Sequence, residues 1–219
     1  MNGFRILAVC TGNVHRSPLA SVMFERWASW YLPADLAQQV SAGSAGTRPP
    51  VGSAIGDLPR LIAEALGGDP SAHRARRLTD ELIAEADLVL AASHTHRDDL
   101  LTRMPSAMRR TFTLREAGRT AELLGPRAAP RTIADLRRTV ADLADSRVPP
   151  ISRDDDDIVD PQGLSAAAYL QMAREAVPAI ATLAATLFGM PRADLEAYQA
   201  AASDVDKLGL RGADVAALS

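Results

Sequence analysis

Between a short apolar run, Arg5-Ile6-Leu7-Ala8-Val9, and a stretch with Leu19, Val22, Met23, Trp27 and Trp30 near helical spacing lies the loop Cys10-Thr11-Gly12-Asn13-Val14-His15-Arg16-Ser17-Pro18. A β-branched run of that length reads as a strand and the second pattern as a helix, so the loop sits where a strand hands over to a helix. Ser17 is a preferred N-cap residue and Pro18 suits the first helical position, which predicts a helix starting at Pro18. Gly12, and Asn13 with its tolerance of positive φ, let the loop curl so that its N–H groups point at one anion near the positive end of the helix dipole. A phosphate fits such a cradle. The same field, with Arg16 close by, favours the anionic sulfur of Cys10, and a thiolate is a nucleophile where a thiol is not. The loop has no terminal Gly-Lys-Ser/Thr of a nucleotide-binding P-loop, and no Gly-x-Gly-x-x-Gly follows any strand-like run.

Further along, strand-like runs at Gln39-Val40-Ser41-Ala42, Ala86 to Ala92 and Thr111-Phe112-Thr113-Leu114 alternate with helical patterns at Ala54 to Leu66 and Leu164 to Phe188. Alternation of this kind implies an α/β fold with a parallel sheet and right-handed crossovers, whose ligands bind beyond the carboxyl ends of the strands. Cys10 lies at such an end. Pro178 is expected to kink or break the last long helix. Ile133, Leu136, Val140, Leu143 and Ala144 recur at helical spacing and predict an added helix, followed by Pro149-Pro150 and the acidic run Asp154 to Asp157, read as a solvated loop.

The cysteine loop resembles the signature of the low-molecular-weight protein tyrosine phosphatases: a cysteine, five residues, an arginine and Ser/Thr, with Gly-Asn inside. That family also carries an aspartate before a proline far downstream, and this chain has Ile158-Val159-Asp160-Pro161-Gln162-Gly163. Ser41-Ala42-Gly43 resembles the end of the family's second strand, and His73-Arg74-Ala75-Arg76 its His-x-Ala-Arg stretch. The resemblance runs from about Phe4 to Leu187 and implies a single α/β domain, a central four-stranded parallel sheet flanked by helices, the flavodoxin-like fold of that family. On this reading residues 1–190 form the phosphatase domain with a helical insertion at about 116–157, and residues 191–219 form a helical or frayed tail.

The resemblance implies cysteine-dependent hydrolysis of phosphomonoesters, protein phosphotyrosine first among them, through a phosphocysteine. Cys10, Arg16 and Asp160 are then catalytic, and Thr11, Gly12, Asn13, Val14, His15 and Ser17 form the phosphate loop. Ser17 would donate to the Cys10 sulfur, and Ser41 and His73 would hold Asn13. Asp160 suits a general acid on its own terms, because Pro161 keeps it extended on a loop able to reach over a pocket. The chemistry needs no metal and no cofactor. Two related activities remain open: a protein arginine phosphatase, since bacterial arginine phosphatases of this fold have Thr after the cysteine as Thr11 stands here, and an arsenate reductase resolved by an external small thiol. A phosphate-sensing or phosphoprotein-binding module is the non-enzyme alternative, though binding alone needs no Asp160.

Cys10 is the single cysteine, so no internal disulfide can form, and His15 stands where many family members carry a second cysteine. The residues after the acid are Gln162 and Gly163, where many such phosphatases place substrate-flanking aromatics, and aromatics are 4% of the chain. A chain of 219 residues with 47% hydrophobic content can bury roughly 70–75% of its unfolded surface as one domain. The lone cysteine, with neither a signal-peptide pattern nor a spanning apolar run, predicts a cytoplasmic protein without a membrane partner. A net charge of −3 predicts no nucleic-acid partner. Arg74, Arg76, Arg77, Arg109 and Arg110 form local basic clusters, and His94 with Asp98 offers metal-ligand types that are better read as the start of a helix capped by Ser93 or Thr95.

Overall fold

The computed structural model describes residues 3–125 and 127–203. In chain order the elements are β1 (Phe4–Cys10), α1 (Arg16–Tyr31), α2 (Ala34–Ala37), β2 (Val40–Gly46), α3 (Asp57–Ala65), α4 (Asp80–Glu85), β3 (Leu88–Ala91), α5 (His94–Arg103), β4 (Thr111–Thr113), α6 (Leu114–Leu124), α7 (Ile133–Asp145), α8 (Ala166–Phe188) and α9 (Arg192–Ser203), with 3-10 turns at Pro105–Arg110 and Arg153–Asp156. The sheet is parallel throughout, in the order β2-β1-β3-β4. Because β2 lies on one side of β1 and β3 on the other, the chain changes direction across the sheet at β1. A crevice must therefore open past the end of that strand, at Cys10.

Both sheet faces are covered, as the parallel arrangement requires. Alternate residues of β1 feed two cores: Phe4, Ile6 and Ala8 pack with α1, α6 and α8, while Leu7 and Val9 pack with Ile83 of α4 and Leu100 of α5. Helices α6 and α8 approach closely at Gly118, where a Cβ would come within 2.8 Å of the Ala179 backbone. Any side chain there would separate the two helices. Trp27 is fully buried, whereas Trp30 is half exposed with the Arg26 guanidinium over its ring.

Three expectations need correction. Helix α1 begins at Arg16, with His15 at its N-cap and the Leu19 N–H bonded to the His15 carbonyl at 3.2 Å, so Ser17 and Pro18 lie inside the first turn. Helix α8 is continuous through Pro178, so the proline does not break it; α6, α1 and α9 pack against it, and the Thr182 hydroxyl donates to the Pro178 carbonyl at 2.9 Å. Only half of the acidic run is solvated: Asp154 and Asp155 are exposed. Asp156 is buried and ion-paired with Arg119 of α6, and Asp157 is bound to His94 at the start of α5.

In the region read as an insertion, α6 and α7 stand between β4 and the acidic turn, and α9 packs on α8. The remainder of the tail, residues 204–219, lies outside the described residues. No helix among the described residues is long and apolar enough to cross a membrane.

Candidate active site

The loop from Cys10 to Arg16 turns tightly enough to need one residue in the left-handed region, and Asn13 supplies it with φ of 53°. Among non-glycine residues asparagine adopts this conformation most readily. Fully buried, it is held on every polar atom: Nδ2 donates to Ser17 Oγ (3.0 Å) and Ser44 Oγ (2.8 Å), Oδ1 accepts from the Arg76 N–H (2.9 Å), and its carbonyl accepts from His73 Nε2 (2.8 Å). Burial, with Arg74 and Arg76 nearby, pushes the His73 pKa down, so the ring serves as a neutral donor. The β2 end packs against the loop so closely that a Cβ on Gly46 would meet the Thr11 carbonyl at 2.6 Å.

Ser44, not Ser41, is the hydroxyl that supports Asn13. Strand β2 continues to Gly46, which places Ser41 exposed near its start, paired with Arg5, and Ser44 three residues nearer the crevice. The small-residue run Val40 to Gly46 has no apolar alternation from which its true end could be read.

Cys10 Sγ is buried 3.0 Å from Ser17 Oγ and 3.2 Å from the Asn13 N–H. Among the described residues, the N–H groups of Gly12, Val14 and His15 meet no protein acceptor. Arg16 is 5% exposed; Nη1 donates to the Ile158 carbonyl (3.2 Å), Nη2 is ion-paired with Asp160, and Nε has no partner among the described residues. An unsatisfied buried N–H costs free energy unless an acceptor arrives. The loop residues Cys10 to Arg16, apart from Asn13, line a pocket of about 230 Å³ together with Arg48, Pro50, Asp160 and Gln162. His15 flanks it, edge-on to Tyr169 of α8 with centroids 5.2 Å apart. Its pKa is lowered, chiefly by burial.

Thr11 faces outward from the loop, its hydroxyl 2.9 Å from His96 Nε2, while His96 Nδ1 lies 2.6 Å from Ser93 Oγ. Burial first, then Arg16, pushes the His96 pKa down to about 4 against the pull of Asp160, Asp99 and Asp157. Between that value and about 6.5 the unfolded chain takes up a proton that the native imidazole refuses, so stability is full above pH 6.5 and falls as pH drops toward 4. Replacing His96 by Gln is expected to remove this contribution, on the order of 2 kcal/mol or about 5 °C of Tm. Thermal unfolding from pH 7 to 4.5 tests it: the Tm gap between wild type and His96→Gln should change with pH, and a constant gap would refute the assignment.

Asp160 reaches the pocket on a segment pinned at nearly every residue. Asp156 pairs with Arg119, the Asp157 carbonyl accepts from Arg115 (3.0 Å), and Asp157 Oδ1 accepts from the His94 N–H and lies 2.7 Å from its Nδ1. The Ile158 N–H donates to Ala92 (2.9 Å), and the Val159 N–H to Glu175 of α8 (2.8 Å). The sequence carries no local signal for Asp156, Asp157 or Glu175, whereas Ser44 opens a second Ser-Ala-Gly, Ser44-Ala45-Gly46, directly after the one read as the strand end. His94, Asp154 and Asp157 bring ligand-type atoms within 4.8 Å of one another. Asp98 turns away to Arg153. Of the basic clusters, Arg76 braces the Ser44 carbonyl, Arg110 binds the Ile83 carbonyl and Arg109 pairs with Asp145.

A buried cysteine in a tight loop, with an arginine and an aspartate lining the same pocket, is the arrangement of a cysteine-dependent phosphatase. The profile of the low molecular weight phosphotyrosine protein phosphatases matches residues 5–143, and the chain belongs to that family. The protein-arginine-phosphatase of Geobacillus stearothermophilus is 34% identical over 129 residues, 58% of this chain and 81% of that protein. A low molecular weight protein-tyrosine-phosphatase of Acinetobacter johnsonii is 34% identical over 109 residues, 50% of this chain and 70% of its own. Among solved structures, an arginine phosphatase from Geobacillus stearothermophilus superposes with a TM-score of 0.55 at 28% identity, covering 83% of this chain and 90% of its own. A low molecular weight protein tyrosine phosphatase from T. tengcongensis gives 0.56 at 27%, covering 83% and 97%. The fold is the one expected from the sequence, and the protein is a hydrolase of phosphorylated substrates that releases phosphate.

Proposed function

We propose that Cys10, Arg16 and Asp160 carry the reaction, with protein phosphotyrosine as the substrate in the cytoplasm. The Cys10 sulfur attacks phosphorus as the P–O bond to the leaving group breaks, and Asp160 gives its proton to the departing oxygen. A water then attacks the phosphocysteine, Asp160 takes its proton, and phosphate leaves as the sulfur is released. Loop N–H groups and Arg16 hold the equatorial oxygens, where the charge of the transferring group is spread. The observation that carries this reading is that Cys10, Arg16 and Asp160, 150 positions apart at the extremes, line one pocket. Gly12, Val14 and His15 contribute backbone donors. Ser17 orients the sulfur, and Ser44 and His73 keep Asn13 in place.

Hydrolysis of p-nitrophenyl phosphate in EDTA at mildly acidic pH tests the mechanism. Asp160→Ala is expected to lower kcat by ~10²-fold, at the low end for a positioned acid because p-nitrophenolate leaves readily, and by more with an alkyl phosphate. An unchanged kcat on both substrates would remove Asp160 from the mechanism. Because Cys10 has no second cysteine to resolve a sulfenic acid, peroxide inactivation is expected to be poorly reversed by dithiothreitol. Full recovery would contradict that expectation.

A second reading, protein arginine phosphatase, is supported by Thr11 on the pocket wall and by the arginine phosphatases among the relatives. Turnover of phosphoarginine against phosphotyrosine in one peptide separates the two. Thiol-dependent arsenate consumption by a chain inert toward phosphomonoesters would favour reduction instead.

A further inference from the structure

Beside the phosphate pocket lies a larger groove of about 620 Å³, and the two share Thr11, Arg16, Arg48 and Asp160 as lining. Since β1 lies between β2 and β3, this groove crosses the carboxyl edge of the sheet, from the segment after β2 on one side to the first turns of α5 on the other. A substrate with its phosphoryl group on Cys10 must lay its neighbouring atoms along it.

The two ends of the groove carry opposite charges that the fold leaves unused. Arg48 marks the β2 end. Its backbone is fixed, the N–H donating to the Thr11 carbonyl (2.9 Å) while the Thr47 N–H donates to the Cys10 carbonyl (3.0 Å), and Pro49 holds it extended. Its guanidinium is exposed and has no hydrogen bond or ion pair among the described residues. Asp99 of α5 marks the β3 end, exposed and likewise without a partner among the described residues. Nearby charges are spent on the structure: Arg16 on Ile158 and Asp160, Asp157 on His94, Asp156 on Arg119, Arg153 on Asp98.

We propose that this groove reads the residues flanking the phosphorylated one in a protein substrate, Arg48 taking an acidic side chain on one side and Asp99 a basic side chain on the other. The proposal rests on the phosphatase reading and names the substrate class for it: a phosphopeptide of opposed flanking charges. The paired ends give the groove a polarity, so a peptide with the charges in one order fits it and its mirror meets like charge at both ends.

The test compares three peptides, with Glu before and Lys after the phosphoresidue, the reverse order, and Ala on both sides. The phosphoresidue is whichever of phosphotyrosine and phosphoarginine is hydrolysed faster between alanines. One charged order is expected to exceed its mirror about 3- to 10-fold in kcat/KM at low salt, and the difference to shrink toward unity at high salt, where exposed charges are screened. The double variant Arg48→Glu/Asp99→Lys is expected to reverse the order, a ratio taken within each protein and so independent of any general change in activity. Equal rates for the two orders in the wild type, a salt-independent preference, or an unreversed order in the double variant would overturn it. So would hydrolysis of p-nitrophenyl phosphate with none of the peptides accepted, which would assign the groove to small phosphomonoesters. A wild type inert toward p-nitrophenyl phosphate would instead refute the phosphatase reading itself.

Discussion

Cys10→Ser is expected to abolish turnover of p-nitrophenyl phosphate, by ~10⁵-fold or more, while leaving the fold intact. Loss of a nucleophile removes the covalent route entirely, and the remaining groups then act on a reaction that no longer proceeds through them. A serine hydroxyl is not ionised at mildly acidic pH and is a far weaker nucleophile than a thiolate. The change is small in volume, and the new oxygen can keep the contacts that Sγ makes with Ser17 Oγ and the Asn13 N–H. Stability should therefore change by about 1 kcal/mol or less. The variant should still bind inorganic phosphate, because the cradle and Arg16 are untouched. Steady-state assay, thermal unfolding and phosphate titration together check this. Activity within tenfold of wild type would mean that the phosphoryl group never passes through sulfur.

Arg16→Ala is expected to cost ~10³–10⁵ in kcat/KM, the range in which a transition-state arginine acts on a transferring phosphoryl group. Two losses combine. The equatorial oxygens lose a forked cation, and the acid segment loses the Arg16 bond to the Ile158 carbonyl and the ion pair to Asp160. Arg16→Lys should recover only a small part, since an ammonium cannot reproduce the planar fork that spans both tasks. Weaker inhibition by inorganic phosphate should accompany the loss. Inhibition by phosphate as tight as in the wild type would show that Arg16 does not touch the anion and serves the acid segment alone.

The same ion pair bears on the reaction order. In the free enzyme the arginine and the acid satisfy one another, so the pocket holds its two opposite charges without an uncompensated one near its floor. An arriving phosphoryl dianion competes for the guanidinium. On the proposed mechanism Asp160, once freed from Arg16, takes up a proton before giving one to the leaving-group oxygen.

Much of the centre was legible because its chemistry is written in consecutive residues. Cys10, Gly12, Asn13, Arg16 and Ser17 need only the turn of one loop to come together, so their spacing carries the cradle with it. The strand and helix on either side follow from local apolar periodicity, and strands alternating with helices leave few ways to build the sheet. Asp160, far along the chain, was legible only through the family resemblance, which places an aspartate before a proline downstream; Asp-Pro alone would not single it out, since Asp69-Pro70 shares it.

What stayed hidden depends on pairings the chain does not announce. The helix start was misplaced because Ser17 has two uses for one hydroxyl, and the sulfur of Cys10 with the amide of Asn13 takes it in place of capping. Ser41 was named where Ser44 acts, since a strand of small residues shows no period from which to count. The aspartates at 156 and 157 read as solvated until α6 and α5 bring Arg119 and His94 to them. Of the kink or break expected at Pro178, the break does not occur: tertiary packing keeps the helix continuous. By itself, the sequence determined the parallel α/β order and the tight loop from Cys10 to Arg16, because these rest on local geometry and residue chemistry. Only the tertiary structure decided which hydroxyl supports Asn13, which carboxylates hold the acid segment and which charges remain free along the groove, because each depends on contacts between segments far apart in the chain.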